Sequence, residues 1–248
     1  MVDVFDREMR ETFPYNPLRQ VALEIRYPPD LTILSSILPL FQKRIRHDYP
    51  LYAMEQIVTL PAGTTSNEAS FQSANRERQL KLSDHHLAII VSRYTTFDDF
   101  SRQALGVIDV LNELAGLEVV QRVGLRYINN IELRQDDLNL GTLVKPFVNL
   151  KSLPSGVVQQ FVSTVNLARE RHNITMTTAQ LPPASPSQLV ASVAWPRAIY
   201  VLDIDCYTEE LKTVADLADL LPFFRYEVKR LFLDHVTDTY KQRMRGVQ

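Results

Sequence analysis

The chain has 248 residues, 45% of them hydrophobic and 23% charged, with a formal net charge of -2 at pH 7 and one cysteine, Cys206. A chain of this size buries roughly three quarters of its unfolded surface and needs no covalent staple, and a lone cysteine forms no internal disulfide. The charge balance argues against nucleic acid as a partner, no apolar run approaches the roughly 18 residues that span a bilayer, and Met1–Arg7 with its two aspartates is not a secretory leader, so the expectation is a cytoplasmic protein with no membrane contact.

In chain order, Val21, Leu23, Ile25 and Tyr27 alternate with Ala22, Glu24 and Arg26, the period-two pattern of a half-buried strand. Pro28-Pro29 ends it. Asp30 or Thr32 caps a helix with apolar positions Ile33, Leu34, Ile37, Leu40, Phe41 and Ile45, broken or kinked at Pro39. Strands follow over Met54–Leu60, Phe71–Leu82 and Leu87–Tyr94, the last two joined by a turn at Ser83–His86. Phe97 opens a second helix through Leu105, Ile108, Leu111 and Leu114 to a C-cap at Gly116, and Val119–Glu132 is a further strand.

Residues 135–156 are irregular and form the one weak internal division of a single 1–248 domain. Strands come next at Phe161–Glu170 and Asn173–Gln180, then, beyond a proline-rich loop, at Leu189–Ala194 and Ile199–Tyr207. A long C-terminal helix over Pro222–Met244 carries Phe224, Val228, Leu231, Phe232, Val236 and Tyr240 as its stripe. Strands joined by short turns pair antiparallel, and amphipathic helices must bury their stripes. The predicted fold class is α+β: a twisted antiparallel sheet with helices packed on one face, either a duplicated strand-helix-strands unit or a helix-grip arrangement.

Several segments carry a resemblance: Asn16-Pro17 with Val21–Pro29, Phe41-Gln42 with Ile45–Pro50, Tyr94–Phe100, Arg122–Asn129, Leu202–Asp205, and Leu231-Phe232 with Val236–Asp238. Together they resemble, along nearly the whole chain, a sporadically distributed prokaryotic family of uncharacterised proteins. Leu80 departs from the aromatic residue that family often carries. The resemblance implies a single domain and a mobile or defence-related gene context; it implies no activity, cofactor or catalytic residue.

The residues with chemical promise lie on two strands. In Arg122–Asn130, alternation puts Val123, Leu125, Tyr127 and Ile131 on one face and Arg122, Gly124, Arg126 and Asn130 on the other. Two guanidiniums flanking a glycine leave room for an anion or a partner's backbone, or they pair with neighbouring carboxylates. Asp203 and Asp205, two apart and so on one face at roughly 7 Å, suit a cation or a shared proton, or ion pairs with Arg126, Arg122 or Arg26. Arg126 is expected to meet one of these aspartates, in a pairing costly to break if buried.

No third acid joins the aspartates, so no metal site is expected. His47, His85, His86, His172 and His235 lack ligand or protease spacing and read as turn and surface residues. Cys206 reads as a buried apolar residue. The basic end of the last helix matches its dipole, with Asp234 and Asp238 interrupting any nucleic-acid stripe. No catalytic residue and no cofactor are expected from the common motifs. The leading expectation is a non-enzymatic binding or adaptor protein that meets a protein partner or a second copy of itself. The alternative is a ligand binder or enzyme with its site at Arg122, Arg126, Asn130, Asp203 and Asp205; a pocket among them favours the second, a flat or self-paired face the first.

Overall fold

Among the described residues, nine strands form one antiparallel sheet in the order β2-β3-β4-β5-β1-β6-β9-β8-β7. The computed structural model describes residues 9, 11–59, 64–133, 140–145, 160–181 and 198–247. The strands are β1 (Leu18–Arg26), β2 (Leu51–Thr59), β3 (Thr64–Gln72), β4 (Arg78–Leu82), β5 (His86–Val91), β6 (Arg122–Leu133), β7 (Phe161–Ala168), β8 (Asn173–Leu181) and β9 (Ala198–Thr208). The helices are α1 (Leu38–Ile45), α2 (Phe97–Ala115), α3 (Leu217–His235) and α4 (Asp238–Arg245). This is the α+β antiparallel class read from the sequence. The expected strand at Leu189–Ala194, the proline-rich loop after Leu181 and most of 135–156 lie outside the described residues.

The plan repeats. In the first half, β1 pairs with β5, the last strand of the β2–β5 meander, and α2 follows. In the second, β6 pairs with β9, the last strand of the β7–β9 run, and α3 follows. β1 and β6 then join the halves antiparallel at the centre of the sheet.

Period-two patterning decides which face is covered. Val21, Leu23, Ile25, Val123, Leu125, Ile131, Leu202, Ile204 and Cys206 are fully buried, beneath α3, which contacts β6 and β9 and packs against α2, itself against α1. Their alternate neighbours form an open polar face. At roughly 25 cal/mol per Å², each such buried side chain contributes about 2 kcal/mol.

Two boundaries differ from the sequence reading, each for a local reason. Phe71–Leu82 is a hairpin rather than one strand. Ser73 N–H donates to Arg78 O at 2.9 Å, Arg78 N–H to Ser73 Oγ at 3.0 Å, Glu77 N–H to Asn75 Oδ1 at 3.2 Å, and Arg76 turns the chain at φ 57°. The polar Ser73–Glu77 run is therefore a turn, and β3 precedes it. The break expected at Pro39 is a change of helix type: a π-helical turn over Ile33–Ile37 leads directly into α1, with Pro39 in the first turn of α1.

The C-terminal helix begins earlier and divides. A Thr213–Asp216 capping box starts a 3-10 turn that runs into α3, leaving Pro222 inside the helix. It stops because Val236 turns extended and its neighbours pair with another segment: Thr237 N–H donates to Leu143 O and Lys145 N–H to His235 O. Thr237 then caps α4 by accepting from Tyr240 N–H at 3.2 Å. No helix among the described residues is long and apolar enough to cross a membrane.

Candidate functional site

Strands β1, β6 and β9 bring the predicted residues onto the open face. In register, Arg126 stands opposite Asp205 and Ile128 opposite Asp203. The Arg126 side chain takes the diagonal: Nε donates to Asp203 Oδ1 at 2.8 Å and Nη2 to Oδ2. Arg122 reaches the other acid, Nη2 donating to Asp205 Oδ2 at 2.7 Å and Nη1 to Glu24 Oε1 at 3.2 Å, with its guanidinium 4.5 Å from the Tyr207 ring centre. Arg26 Nε donates to the same Glu24 oxygen at 2.6 Å. The result is a chain, Arg26–Glu24–Arg122–Asp205, beside a fork-to-fork Arg126–Asp203 pair.

The space that the sequence left over Gly124 is filled from within. A Cβ placed there would lie 2.7 Å from Arg122 Nη1, so the glycine admits its own neighbour's guanidinium. Asn130 stands apart from the pairs, opposite Val201, its backbone N–H donating to Pro17 O at 2.9 Å. Burial raises the Asp205 pKa, with Arg122 and Arg126 opposing; the hydrogen bond from Arg126 to Asp203 raises that of Arg126. The Arg126 side chain is 51% exposed and Asp203 16%. The high cost of breaking a buried pair therefore does not apply to Arg126, and solvent screening limits the pair to about 1 kcal/mol or less.

A second cluster on the same face escaped the sequence reading. Glu68 accepts from Lys81 Nζ at 2.7 Å and contacts His86 Nε2 at 2.8 Å, and Ser83 Oγ lies 2.7 Å from His86 Nδ1. A hydroxyl, an imidazole and a carboxylate in line suggest nucleophilic chemistry. The hydroxyl argues otherwise: Ser83 is 1% exposed, and its Oγ accepts from the His85 and His86 N–H groups at 3.3 and 3.2 Å. It clasps the β4–β5 turn. Among the described residues no group of three or more His, Cys, Asp or Glu is placed to hold a metal ion.

Two histidines expected at the surface are buried. His235 is 4% exposed, with Nε2 at 2.6 Å from the Tyr200 hydroxyl and the two rings stacked. Burial, then the Lys145 charge, pushes its pKa down to about 4. His172, 8% exposed, lies 3.5 Å from Glu227 and edge-on to Phe223. The signal for His235 was its helical spacing from Val228, Leu231 and Phe232. Asn129 also sits on the covered face of β6, 3% exposed, its Nδ2 donating to Leu202 O at 3.2 Å; it interrupts the Val123–Ile131 apolar alternation, which was the readable sign. Cys206 is buried as expected, its thiol pKa raised by that burial.

A cavity of about 300 Å³ opens on the helix-covered side, lined by none of the five predicted site residues. No protein-family model matches this chain and no curated protein matches it, so the functional reading rests on the geometry.

Proposed function

We propose that the protein is a non-enzymatic binding module that takes an extended segment of a protein partner along β2. The observation that supports this is the character of that strand. β2 is a terminal strand of the sheet among the described residues, nine residues long and in unbroken register with β3 from Leu51 to Thr59. It exposes Leu51 (39%), Tyr52 (44%) and Met54 (48%). A long, partly apolar edge invites strand addition unless it is charged, bulged or covered. The arginines and aspartates at the centre of the open face answer to one another, which leaves the alternative site there without free charge to offer a ligand.

The test is affinity purification of the tagged wild type, Met54→Lys and Arg126→Gln from the native host. The reading expects one protein at stoichiometric ratio with the wild type and with Arg126→Gln, lost from Met54→Lys, and slowed amide exchange over Leu51–Thr59 when that protein is added back. Equal recovery with Met54→Lys, or no protein recovered, contradicts it.

A further inference from the structure

Lys229 and Arg225 lie one turn apart on α3, and both line the cavity between that helix, the N-terminal segment, β6 and the start of α2. Arg225 has no carboxylate within ion-pair distance among the described residues; its guanidinium lies 5.2 Å from the Phe97 ring centre. The Lys229 ammonium donates to Met9 O and Glu11 O, each at 2.7 Å, and its third proton has no partner among the described residues. The acid that could neutralise the pair is engaged: Glu11 accepts from Arg245 Nε at 2.7 Å and Nη2 at 2.6 Å. Asp98 stands exposed at the rim.

Two further features point inward. Asn129, almost fully buried, presents an Oδ1 with no hydrogen-bond partner among the described residues. Thr95–Asp98 brings the positive end of the 19-residue α2 to the mouth. Aromatic walls complete the space: Phe13, Phe97 and the Tyr94–Tyr127 pair, whose hydroxyls lie 3.3 Å apart with Tyr127 donating.

We propose that this cavity binds a small organic acid, a carboxylate or phosphate carried on a flat apolar body. The acid group meets Arg225 and the free Lys229 proton, the body lies against Phe13 and Phe97, and a donor on the ligand reaches Asn129 Oδ1. A pocket of this size sits at the lower end of the range for small-molecule sites, which selects a single ring over a dinucleotide. The site is independent of β2, so it stands or falls apart from the docking reading.

The charge state of Lys229 gives the site a pH signature. Burial and then the Arg225 charge push its pKa down to about 8, with Glu11 opposing. Besides Arg225 and Glu11, the groups facing it are Asp98 at the rim and the Tyr94 and Tyr127 phenols, both held protonated by burial. An anion favours the ammonium, so affinity falls by up to about tenfold between pH 7 and pH 9 as the amine discharges.

Isothermal titration with benzoate, phenyl phosphate and neutral benzamide decides the matter. The proposal expects saturable one-to-one binding of at least one acid, benzamide at least tenfold weaker, weakening toward pH 9, and a tenfold or greater loss in Arg225→Gln. Preference for benzoate or for phenyl phosphate identifies the acid group. If Arg225→Gln does not fold, the wild-type Lys229 titration followed by NMR replaces it, and the acid must raise that pKa. No saturable binding of either acid at millimolar concentration, or equal binding of benzamide, overturns the proposal.

Discussion

The two faces of the sheet treat charge in opposite ways. On the open face, Arg26, Glu24, Arg122 and Asp205 form a closed chain and Arg126 forks onto Asp203, all from residues that strand alternation places in view. Under the helices, Arg225 and Lys229 line a cavity with no carboxylate in ion-pair distance among the described residues, and Asn129 keeps an acceptor unmatched among them. The face richest in visible charge is the one with least left to offer a ligand. Charge is informative about function where it is unpaired, and pairing is a property of the fold.

That contrast can be broken first on the covered side. Phe224 is fully buried in the stripe of α3. Phe224→Ala is expected to cost about 3–5 kcal/mol, measured by urea unfolding, whereas Arg126→Ala on the open face costs about 1 kcal/mol or less. Equal costs would dissolve the distinction between the faces.

The next effect comes from His235. Its folded pKa of about 4 lies below the ordinary 6.5, so the fold favours the neutral ring. The stability this contributes is complete above pH 6.5 and is lost as pH falls toward 4, by about 3 kcal/mol at most. Unfolding curves at pH 7 and pH 4 for wild type and His235→Gln should differ by that amount in their pH dependence. Parallel curves would place the ring in water.

A smaller effect sharpens the account of the open face. Gly124→Ala displaces the Arg122 guanidinium from its seat between Tyr207, Glu24 and Asp205, at about 1 kcal/mol or less in a melting experiment, because the side chain that must move is flexible. In an Arg122→Ala background the same change should be neutral or mildly stabilising, because glycine weakens a strand interior. Additivity would show that the arginine does not occupy that space.

Much of the fold was legible because it depends on local period. Val21–Ile25 and Val123–Ile131 alternate, Phe97 and Gly116 bracket α2, and Cys206 shares parity with Leu202 and Ile204, so strand, helix and burial followed from spacing. The Arg126–Asp203 contact was legible in outline because both side chains had to leave the apolar faces of their strands. What spacing cannot supply is partnership between distant segments. Val236 leaves the helix because Leu143–Lys145 pairs with it, and Ser73–Glu77 folds back through side-chain hydrogen bonds that a strand pattern conceals. The cavity escaped because its residues come from four separate segments, and its charges are distinguished by where Glu11 is drawn rather than by any motif.

The central claim is that the open-face arginines and aspartates answer to one another, and the double-mutant cycle Arg126→Ala, Asp203→Ala and both together, followed by urea unfolding at low salt, tests it most directly. The account predicts a coupling energy of about 0.2–1 kcal/mol that shrinks as salt is added. Single-mutant costs that simply add, at any salt concentration, would contradict it.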